Sequence, residues 1–368
     1  MTRVQIVDPS AFTPPYDHAL ATALAGAGAE VTLVTSRFAY GSVPDAGRYE
    51  RQELFYRHAP GAAGSRLRRL AKLVQHGPDM LRYRDLAERA DVAHFQWFDV
   101  PWLDRHLLPR GPIVLTSHDL LPREPRPGQA RAQRQLLQRV DAVIVHSDYG
   151  RRQLVEGLEL EPAKVHVVPH GALHHLTQQE HEQPLPAELA GAEGPVALFF
   201  GLLRPYKGIE MLLEAWRGID QAELWVVGRP RMPLAPLRAR APAGVRFVPR
   251  FISDRELPAV FRRADLIVLP YARTERFDQS GVLATALAFG KAVVLSDIGG
   301  FGEVAAHGAA ELVPPDDPDA LRVVLQRLLG DPGARERLER AAAAAAAGPY
   351  SWAEAARRTL AIYRKAGA

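Results

Sequence analysis

Short apolar runs rich in β-branched residues alternate with helical stretches along nearly the whole chain. This alternation is typical of parallel sheets that are covered by helices. In the first half, the pattern predicts a helix over about residues 17–27 and strands at 4–7, 31–34, 92–95, 112–115, 142–145 and 165–168. In the second half, it predicts strands at 196–200, 224–227, 245–248, 266–269 and 292–295.

A polar stretch rich in Glu, Gln and Pro separates the two series. We therefore predict an α/β protein of two Rossmann-like, doubly wound domains that face each other across a cleft, with ligands at the carboxyl ends of the strands. The predicted N-terminal domain is 1–172, the linker is 173–194 and the C-terminal domain is 195–348. A last amphipathic helix is predicted in the segment 349–368, after an alanine run that is itself expected to be helical.

The composition is that of a globular protein, with 47% hydrophobic and 24% charged residues among 368. Cysteine is absent, which excludes disulfides, thiolate metal sites and a cysteine nucleophile. No apolar run reaches membrane-spanning length, so the expected location is the cytoplasm. The net charge of +4 fits an anionic ligand or an anionic membrane surface, and no nucleic-acid partner is expected.

The loop after the first predicted strand, residues 8–15, contains no glycine. A dinucleotide-binding enzyme needs glycines there so that the backbone can approach the pyrophosphate. The chain also has no lysine-bearing Walker loop. These features argue against NAD-dependent and P-loop chemistry.

A glycine loop instead follows the first strand of the second series, in the segment GLLRPYKG at 201–208. Gly201 follows the strand, and Arg204 and Lys207 precede a predicted helix. Two cations at a helix N-terminus form a place for a diphosphate. The alternative, two solvated cations on a surface loop, is left open by this segment alone.

A second polar segment ends at a short predicted helix over 282–289. The backbone N–H groups of Ser280, Gly281 and Val282 are predicted to be open to anionic or hydroxyl oxygens. Asp278 or Ser280 could instead cap this helix, and such capping is compatible with ligand binding.

Three segments, FFGLLRPYKGIEMLLEAW, SGVLATALAFGKAVVLSDIGGFGEV and VHVVPHG, resemble glycosyltransferase family 4, whose members are retaining enzymes of GT-B architecture. The resemblance covers nearly the whole chain and is strongest over 199–304. It implies a nucleotide-diphosphate sugar as donor, with Arg204 and Lys207 neutralising its diphosphate, although the family's arginine more often stands where this chain has Leu202. It also implies that the last helix crosses back to the N-terminal domain.

The family's paired-glutamate motif is altered in this chain, because Phe277 and Thr285 stand at the two acidic positions. In the family the second glutamate binds the ribose hydroxyls, and a threonine offers one hydroxyl instead of two carboxylate oxygens. We expect the polar groups at 278–280 to take part of this work. The predicted donor-binding set is Gly201, Asp278, Gln279, Ser280, Gly281, Val282, Thr285 and Glu303.

In the N-terminal half, His118 follows a strand and matches the family's histidine beside the reacting sugar. It is the first catalytic candidate, with Arg204 and Lys207, although a lone histidine at a strand end is otherwise structural. The predicted acceptor-binding set is Tyr16, Asp17, His94, Gln96 and Trp97.

Glycosyl transfer develops negative charge on the departing diphosphate, which fixed cations and helix N-termini stabilise. The expected enzyme therefore needs no metal and no cofactor. The D-x-D string at 317–319 is predicted to cap the helix that follows it. By resemblance, the anomeric configuration is retained through same-face attack, with a donor phosphate oxygen accepting the proton of the acceptor.

Residues 66–74 combine cations with apolar residues at helical spacing. The cations are Arg66, Arg68, Arg69 and Lys72. Basic amphipathic helices bind anionic membranes, and some family members use lipid-linked acceptors, so peripheral membrane contact is an open alternative. We favour a solvated helix whose apolar stripe faces the core.

A hexosyltransferase acting on a saccharide, glycolipid or small-molecule hydroxyl explains both motifs. A GT-B epimerase would need acidic residues around the sugar and a phosphorylase a lysine for a covalent cofactor, and neither is evident. A nucleotide-sugar-binding protein with a degenerate site stays open because of Thr285. GDP-mannose, UDP-glucose and related donors are left open as well.

Overall fold

The structure, a computed structural model, describes residues 1–41, 43–120, 128–275 and 278–367. By its internal contacts the chain divides into two compact units. The first contains the residues up to Pro169, together with Asp278 and the C-terminal residues from Trp352. The second contains 170–275 and 279–351.

Each unit is built on one parallel sheet. The strands are β1 (Arg3–Asp8), β2 (Glu30–Ser36), β3 (Glu50–Phe55), β4 (Val92–Phe95), β5 (Ile113–Thr116), β6 (Ala142–Val145), β7 (Val165–Val167), β8 (Val196–Phe200), β9 (Glu223–Val227), β10 (Val245–Val248), β11 (Leu266–Leu269), β12 (Ala292–Ser296) and β13 (Glu311–Val313). The order is β3-β2-β1-β4-β5-β6-β7 in the first unit and β10-β9-β8-β11-β12-β13 in the second. These are the two doubly wound sheets that the alternation in the sequence predicted.

Helices connect the strands. They are α1 (Pro14–Gly26), α2 (Arg66–Ala87), α3 (Pro101–Leu107), α4 (Gln129–Arg139), α5 (Asp148–Arg152), α6 (Ile209–Ala215), α7 (Ala235–Arg240), α8 (Leu257–Arg263), α9 (Gly281–Ala288), α10 (Phe301–Ala305), α11 (Pro318–Gly330), α12 (Pro332–Ala347) and α13 (Trp352–Ala366). The alanine run forms the end of α12, and Gly348 is its C-cap.

The central strands are apolar because both faces of each sheet are covered. Every residue of β4, β5 and β6 is buried, as expected for parallel strands between helical layers. The two strands that the pattern failed to predict, β3 and β13, lie at sheet edges. In β3 only Phe55 is buried, so the strand lacks a continuous apolar run.

Both sheets have a switch point beside their first strand. Strand β1 pairs with β2 on one side and β4 on the other, and β8 pairs with β9 and β11. Crevices at the carboxyl ends of strands at such points are the usual ligand sites of this architecture. We therefore expect functional residues in the loops after β1, β4, β8 and β11.

Residues 173–194, predicted as a linker, are counted with the second unit and bury Leu176 and Leu189. Helix α13 is counted with the first unit, where it packs on α1. Its Tyr363 is fully buried against that unit.

Helix α2 is oriented opposite to our expectation. Its leucines and Val74 were predicted to face the core, yet Val74 is 70% exposed. Near this end of the helix the inward contacts are polar, since His76 and Asp79 are buried and the Arg68 guanidinium donates to the Ala59 carbonyl at 2.8 Å. Apolar burial begins further along the helix, at Met80 and Tyr83. Because hydrogen bonds satisfy this polar face inside the unit, the prediction of a core-facing apolar stripe is wrong.

Candidate active site

The end of β8 is shaped by glycines. Gly201 has a φ of 109°, and a Cβ atom there would lie 2.9 Å from the Lys207 Nζ and 3.2 Å from a methyl group of Val282. A Cβ atom on Gly228, after β9, would lie 1.8 Å from the Gly201 carbonyl oxygen. The absence of side chains therefore lets the backbone, the lysine and the first turn of α9 come together.

Lys207 is a buried cation at this strand end. It is 6% exposed and ends a 3₁₀ turn (Pro205–Lys207), and its Nζ lies 5.2 Å from the centre of the Tyr271 ring. Gly208 follows with a φ of 70°, and a Cβ atom there would lie 1.8 Å from the Pro270 carbonyl oxygen. The turn is thus seated against the loop after β11. A buried ammonium group needs an anion or an aromatic face for compensation.

Arg204 is half-buried and immediately precedes the same turn. The loop is braced by its neighbour, since the Leu203 N–H donates to the Arg229 carbonyl at 3.0 Å and the Arg231 N–H donates to the Leu203 carbonyl at 2.9 Å. Both predicted cations therefore lie on one braced loop at the switch point of the second sheet.

Ser280 is the N-cap of α9, which confirms one of the predicted alternatives. Its Oγ accepts from the Val282 N–H at 3.3 Å and lies 3.1 Å from the Tyr271 hydroxyl oxygen. Because Tyr271 also contacts Lys207, the cap and the lysine share one aromatic neighbour. This N–H of Val282 is thus occupied by the cap.

Other members of the predicted donor set lie close by in the second unit. Gln279 donates from Nε2 to the Gly300 carbonyl at 3.1 Å, which connects it to the glycine loop before α10, where Glu303 is located. Thr285 is buried in α9 and donates its hydroxyl proton to the Gly281 carbonyl at 2.8 Å. That proton is used inside the helix. Phe277, at the other altered motif position, lies outside the described residues.

Asp278 directly precedes Gln279 in the chain, but its side chain bonds to the first unit. By its contacts it belongs to the first unit, where it is fully buried. Its carboxylate accepts from the Ser147 hydroxyl and, at 2.7 Å, from the backbone N–H of His146. A Cβ atom on Gly150 would lie 2.9 Å from the carboxylate, which therefore sits beside the N-terminus of α5, a position that favours an anion. These bonds give Asp278 a structural role in the first unit.

In the first unit, His118 lies among aromatic rings at the ends of β4 and β5. It stacks on Trp97 with ring centres 5.0 Å apart and 18° between the planes. Tyr16 meets it edge-on at 4.6 Å, and the Oε1 of Gln96, a residue that is 1% exposed, lies 3.1 Å from the His118 Nε2. The structure thus brings together four of the residues predicted for this half of the site.

His146 holds the other side of the His118 ring. Its Nδ1 donates to the Val168 carbonyl at 3.0 Å, and its Nε2 lies 3.3 Å from the His118 Nδ1. Because a carbonyl only accepts, a neutral His146 accepts at Nε2 and His118 donates from Nδ1. The His118 Nε2 then either donates a second proton to the Gln96 Oε1 or, if the Gln96 side-chain amide is flipped, accepts from its Nε2. In both states each ring nitrogen of His118 is bonded to a protein group.

Sequence reasoning missed His146 and Ser147. Both follow β6 at its carboxyl end, as His118 follows β5. The strand-end rule that selected His118 would have selected them too.

His94 lies inside the sheet and not at its end. It is the third residue of β4, is fully buried, and bonds the hydroxyls of Tyr363 at 2.6 Å and Thr116 at 2.7 Å. Burial lowers its pKa to about 3, so the ring is neutral. These bonds give His94 a structural role inside the first unit, because β4 directs this side chain towards α13.

Asp17 forms a buried pair with Asp8 at the end of β1. Burial raises the pKa of Asp8 to about 6, and burial together with the charge of Asp8 raises the pKa of Asp17 well above its usual range. Asp8 also accepts from the N–H groups of Phe12 at 2.6 Å and Thr13 at 3.0 Å. Asp17 therefore holds a proton that it shares with Asp8, and its carboxyl is bonded within the unit.

No group of three or more His, Asp or Glu side chains in the described part of the chain is arranged to hold a metal ion. Asp317 of the D-x-D string caps α11 by accepting from the Ala320 N–H at 2.9 Å, as predicted. Of the helices in the described ranges, none combines the length and hydropathy needed to cross a bilayer.

Known proteins resemble this chain in both halves. A family model described as Glycosyltransferase Family 4 matches residues 16–172, and one described as Glycosyl transferases group 1 matches residues 194–331. The D-rhamnosyltransferase WbpZ of Pseudomonas aeruginosa is 31% identical over 286 residues, which cover 72% of this chain and 70% of that enzyme. A D-inositol 3-phosphate glycosyltransferase of Jonesia denitrificans is 30% identical over 69% of this chain and 66% of the enzyme. The chain thus spans slightly less than two thirds of that relative.

Solved structures share the fold at low identity. HepE of Anabaena, in complex with UDP and glucose, superposes with a TM-score of 0.75 at 17% identity, covering 99% of this chain and 100% of that one. Sucrose-phosphate synthase of Thermosynechococcus elongatus superposes with a TM-score of 0.72 at 20% identity, covering 99% of each chain. The two parallel sheets are therefore those of the GT-B fold, and the chain belongs to the family 4 glycosyltransferases.

Proposed function

We propose that the protein is a retaining hexosyltransferase that uses a nucleotide-diphosphate sugar as donor and a saccharide, glycolipid or small-molecule hydroxyl as acceptor. The observation that carries the proposal is Lys207, a buried ammonium group against a glycine backbone at the switch point of the second sheet. A diphosphate suits this loop, because its anionic oxygens bond ammonium and guanidinium groups and accept from backbone N–H groups. HepE has been solved with UDP and with UDP-glucose, which supports a nucleotide donor here.

In the proposed reaction, the bond between the anomeric carbon and the diphosphate oxygen breaks while the acceptor hydroxyl oxygen bonds to the same face of that carbon. The acceptor's proton passes to the departing phosphate oxygen, so the products are a glycoside and a nucleoside diphosphate. Arg204 and Lys207 stabilise the charge that develops on the diphosphate, and no metal is assigned a role.

His118 is assigned to contact with the reacting sugar and not to proton abstraction. Both of its ring nitrogens are bonded to protein groups, Gln96 on one side and His146 on the other. Stacking on Trp97 fixes the plane of the ring. This arrangement supports the donor phosphate oxygen as the proton acceptor.

The test is to incubate the protein with UDP-, GDP- and ADP-sugars and a mixture of acceptor saccharides, with and without EDTA. We expect one nucleotide series to release its diphosphate in an acceptor-dependent way, with retained configuration by ¹H NMR and no loss of rate in EDTA. An inverted product would contradict the retaining mechanism. Failure of every nucleotide to bind would contradict the donor assignment.

A second candidate is a nucleotide-sugar-binding protein or epimerase with a degenerate transfer site. It is favoured by Thr285, which replaces an acidic residue and uses its own proton within α9. Nucleotide binding without acceptor-dependent release, or conversion of one donor sugar into another, would favour this candidate over the transferase.

A further inference from the structure

The N-terminal half of α2 presents an apolar face to solvent. Leu67, Leu70, Leu73 and Val74, here called the α2 patch, are 59%, 62%, 47% and 70% exposed. Their spacing of three and four residues places them on one side of the helix. Trp102, at the start of the neighbouring helix α3, is 58% exposed. Contiguous apolar exposure of this kind marks an interaction surface.

The exposure of the patch is determined by the opposite side of the helix. The Lys72 ammonium donates to the Ser10 hydroxyl at 3.1 Å, and the buried His76 ring bonds the Tyr56 hydroxyl at 2.6 Å and the Asp104 carboxylate. Turning the leucines inward would break these bonds and leave buried polar groups unsatisfied. The fold therefore holds the patch outward.

The segment that carries the patch has charges of one sign. The sequence from Arg57 to Pro78 contains five Lys and Arg residues and no Asp or Glu. Arg66 and Arg69 are exposed beside the patch. A partner that binds the α2 patch must therefore offer an apolar region to the leucines and anionic groups to the arginines around them. A symmetric contact between two copies centred on Leu70 would instead bring like charges together.

We propose that the α2 patch docks on the surface of an anionic lipid bilayer. Its apolar side chains enter the interfacial region, while Arg66 and Arg69 lie at the level of the lipid phosphates. Exposed Trp102, on the neighbouring helix, is of a residue type that is enriched at membrane interfaces. Arg68 and Lys72, which the sequence pattern grouped with the exposed cations, bond inside the unit and take no part. This docking does not depend on the proposed donor or reaction.

Vesicle flotation tests the proposal, with vesicles of phosphatidylcholine alone or mixed with phosphatidylglycerol. We expect binding to the anionic vesicles to be about tenfold tighter than to the neutral ones and to weaken with salt. Leu70→Gln combined with Val74→Gln should lower that binding at least about tenfold. Arg66→Gln combined with Arg69→Gln should lower it and remove most of the salt dependence.

The matched control combines Val323→Gln with Arg217→Gln and Arg240→Gln, which removes an exposed valine and two exposed cations from the second unit. It should float like the wild type. Unchanged hydrogen exchange in the core strands would show that each variant is folded, and all variants should bind nucleotide equally. Equal flotation of the wild type and the Leu70→Gln, Val74→Gln variant would overturn the proposal. Equal binding of the wild type to neutral and anionic vesicles would also overturn it. A third contradicting result is a wild-type dimer that does not bind vesicles and that Leu70→Gln dissociates.

Discussion

At the end of β8 the second unit is built from glycine backbone, whereas at the ends of β4, β5 and β6 the first unit is built from side chains that bond one another. Around Gly201, atoms approach to distances that a methyl group would prevent. Around His118, the side chains of Gln96 and His146 bond the two ring nitrogens. The first arrangement is therefore sensitive to an added atom, and the second to the removal of a group. Variants of each kind can separate the two.

An added methyl group at Gly208 should have the largest effect. Its Cβ would lie 1.8 Å from the Pro270 carbonyl oxygen, so the turn that carries Lys207 must move away from the loop after β11. We expect Gly208→Ala to destabilise the second unit by about 3 kcal/mol and to abolish nucleotide binding. Hydrogen exchange in β8 and β11 measures the loss.

Gly218→Ala is the control for this change. Gly218 has a φ of 80°, but nothing lies within 4 Å of the position of its Cβ. Only the backbone strain remains, so the cost should be about 1 kcal/mol. Equal losses in the two variants would show that the close approach to Pro270 is unimportant.

The proton shared by Asp8 and Asp17 should give the next largest effect. A carboxyl whose pKa is raised in the folded state stabilises the fold at low pH and loses this contribution as the pH rises. The pKa of Asp17 is raised well above its usual range, so the wild type loses this stabilisation from pH 4 to pH 6, whereas Asp17→Asn has no such proton to lose. The unfolding free energy of Asp17→Asn relative to the wild type should therefore rise by about 2–3 kcal/mol over that range. The titration of Asp8, whose pKa burial raises to about 6, is common to both proteins.

This difference is measured by urea unfolding at a series of pH values. It should keep growing above pH 6, because Asp17 still holds its proton there. Taking the difference removes the contribution of His94, whose lowered pKa makes stability fall as the pH falls. A difference that is flat from pH 4 to pH 6 would exclude the shared proton.

Asp278→Ala should act on the first unit and not on the donor. It removes the acceptor of the Ser147 hydroxyl and the His146 N–H, which we expect to cost about 2 kcal/mol. Increased hydrogen exchange in β6 and α5, with unchanged nucleotide affinity, is the expected result. Weaker nucleotide binding with undisturbed exchange in β6 would instead support the predicted contact of Asp278 with the donor.

Gln279→Ala should have the smallest effect, a loss of nucleotide affinity with no change in the first unit. Its bond to the Gly300 carbonyl connects the start of α9 to the second glycine loop. Loss of that bond should weaken nucleotide binding about fivefold, or about 1 kcal/mol. Calorimetry measures the affinity, and Gln221→Ala, an exposed glutamine of the same unit, is the control. No change in affinity would remove Gln279 from the site.

The same contrast explains which features could be predicted from the sequence. The central strands were predicted because burial on both faces makes them continuously apolar. Strand β3 has only Phe55 buried and β13 has three residues, so neither produces such a run. The glycine loop at 201–208 was also predictable, because its glycines, cations and helix are adjacent in the sequence.

The first unit's site was only partly predictable, because its members come from distant parts of the chain. His118 and Trp97 follow strands and were predicted. The pairing of His94 with Tyr363, which are 269 residues apart, depends on where α13 packs. The contact of Asp278 with Ser147 likewise joins residues 131 apart. Local patterns carry no information about such contacts.

Nucleotide binding by Lys207→Met tests the central claim most directly. Isothermal titration with UDP, GDP and ADP should show that the wild type binds at least one of them and that Lys207→Met weakens this binding at least about tenfold. Lys164→Met, which removes a cation from the first unit, should bind like the wild type. Equal affinities of the wild type and Lys207→Met, in a folded variant, would contradict the assignment of the donor site to the loop after β8.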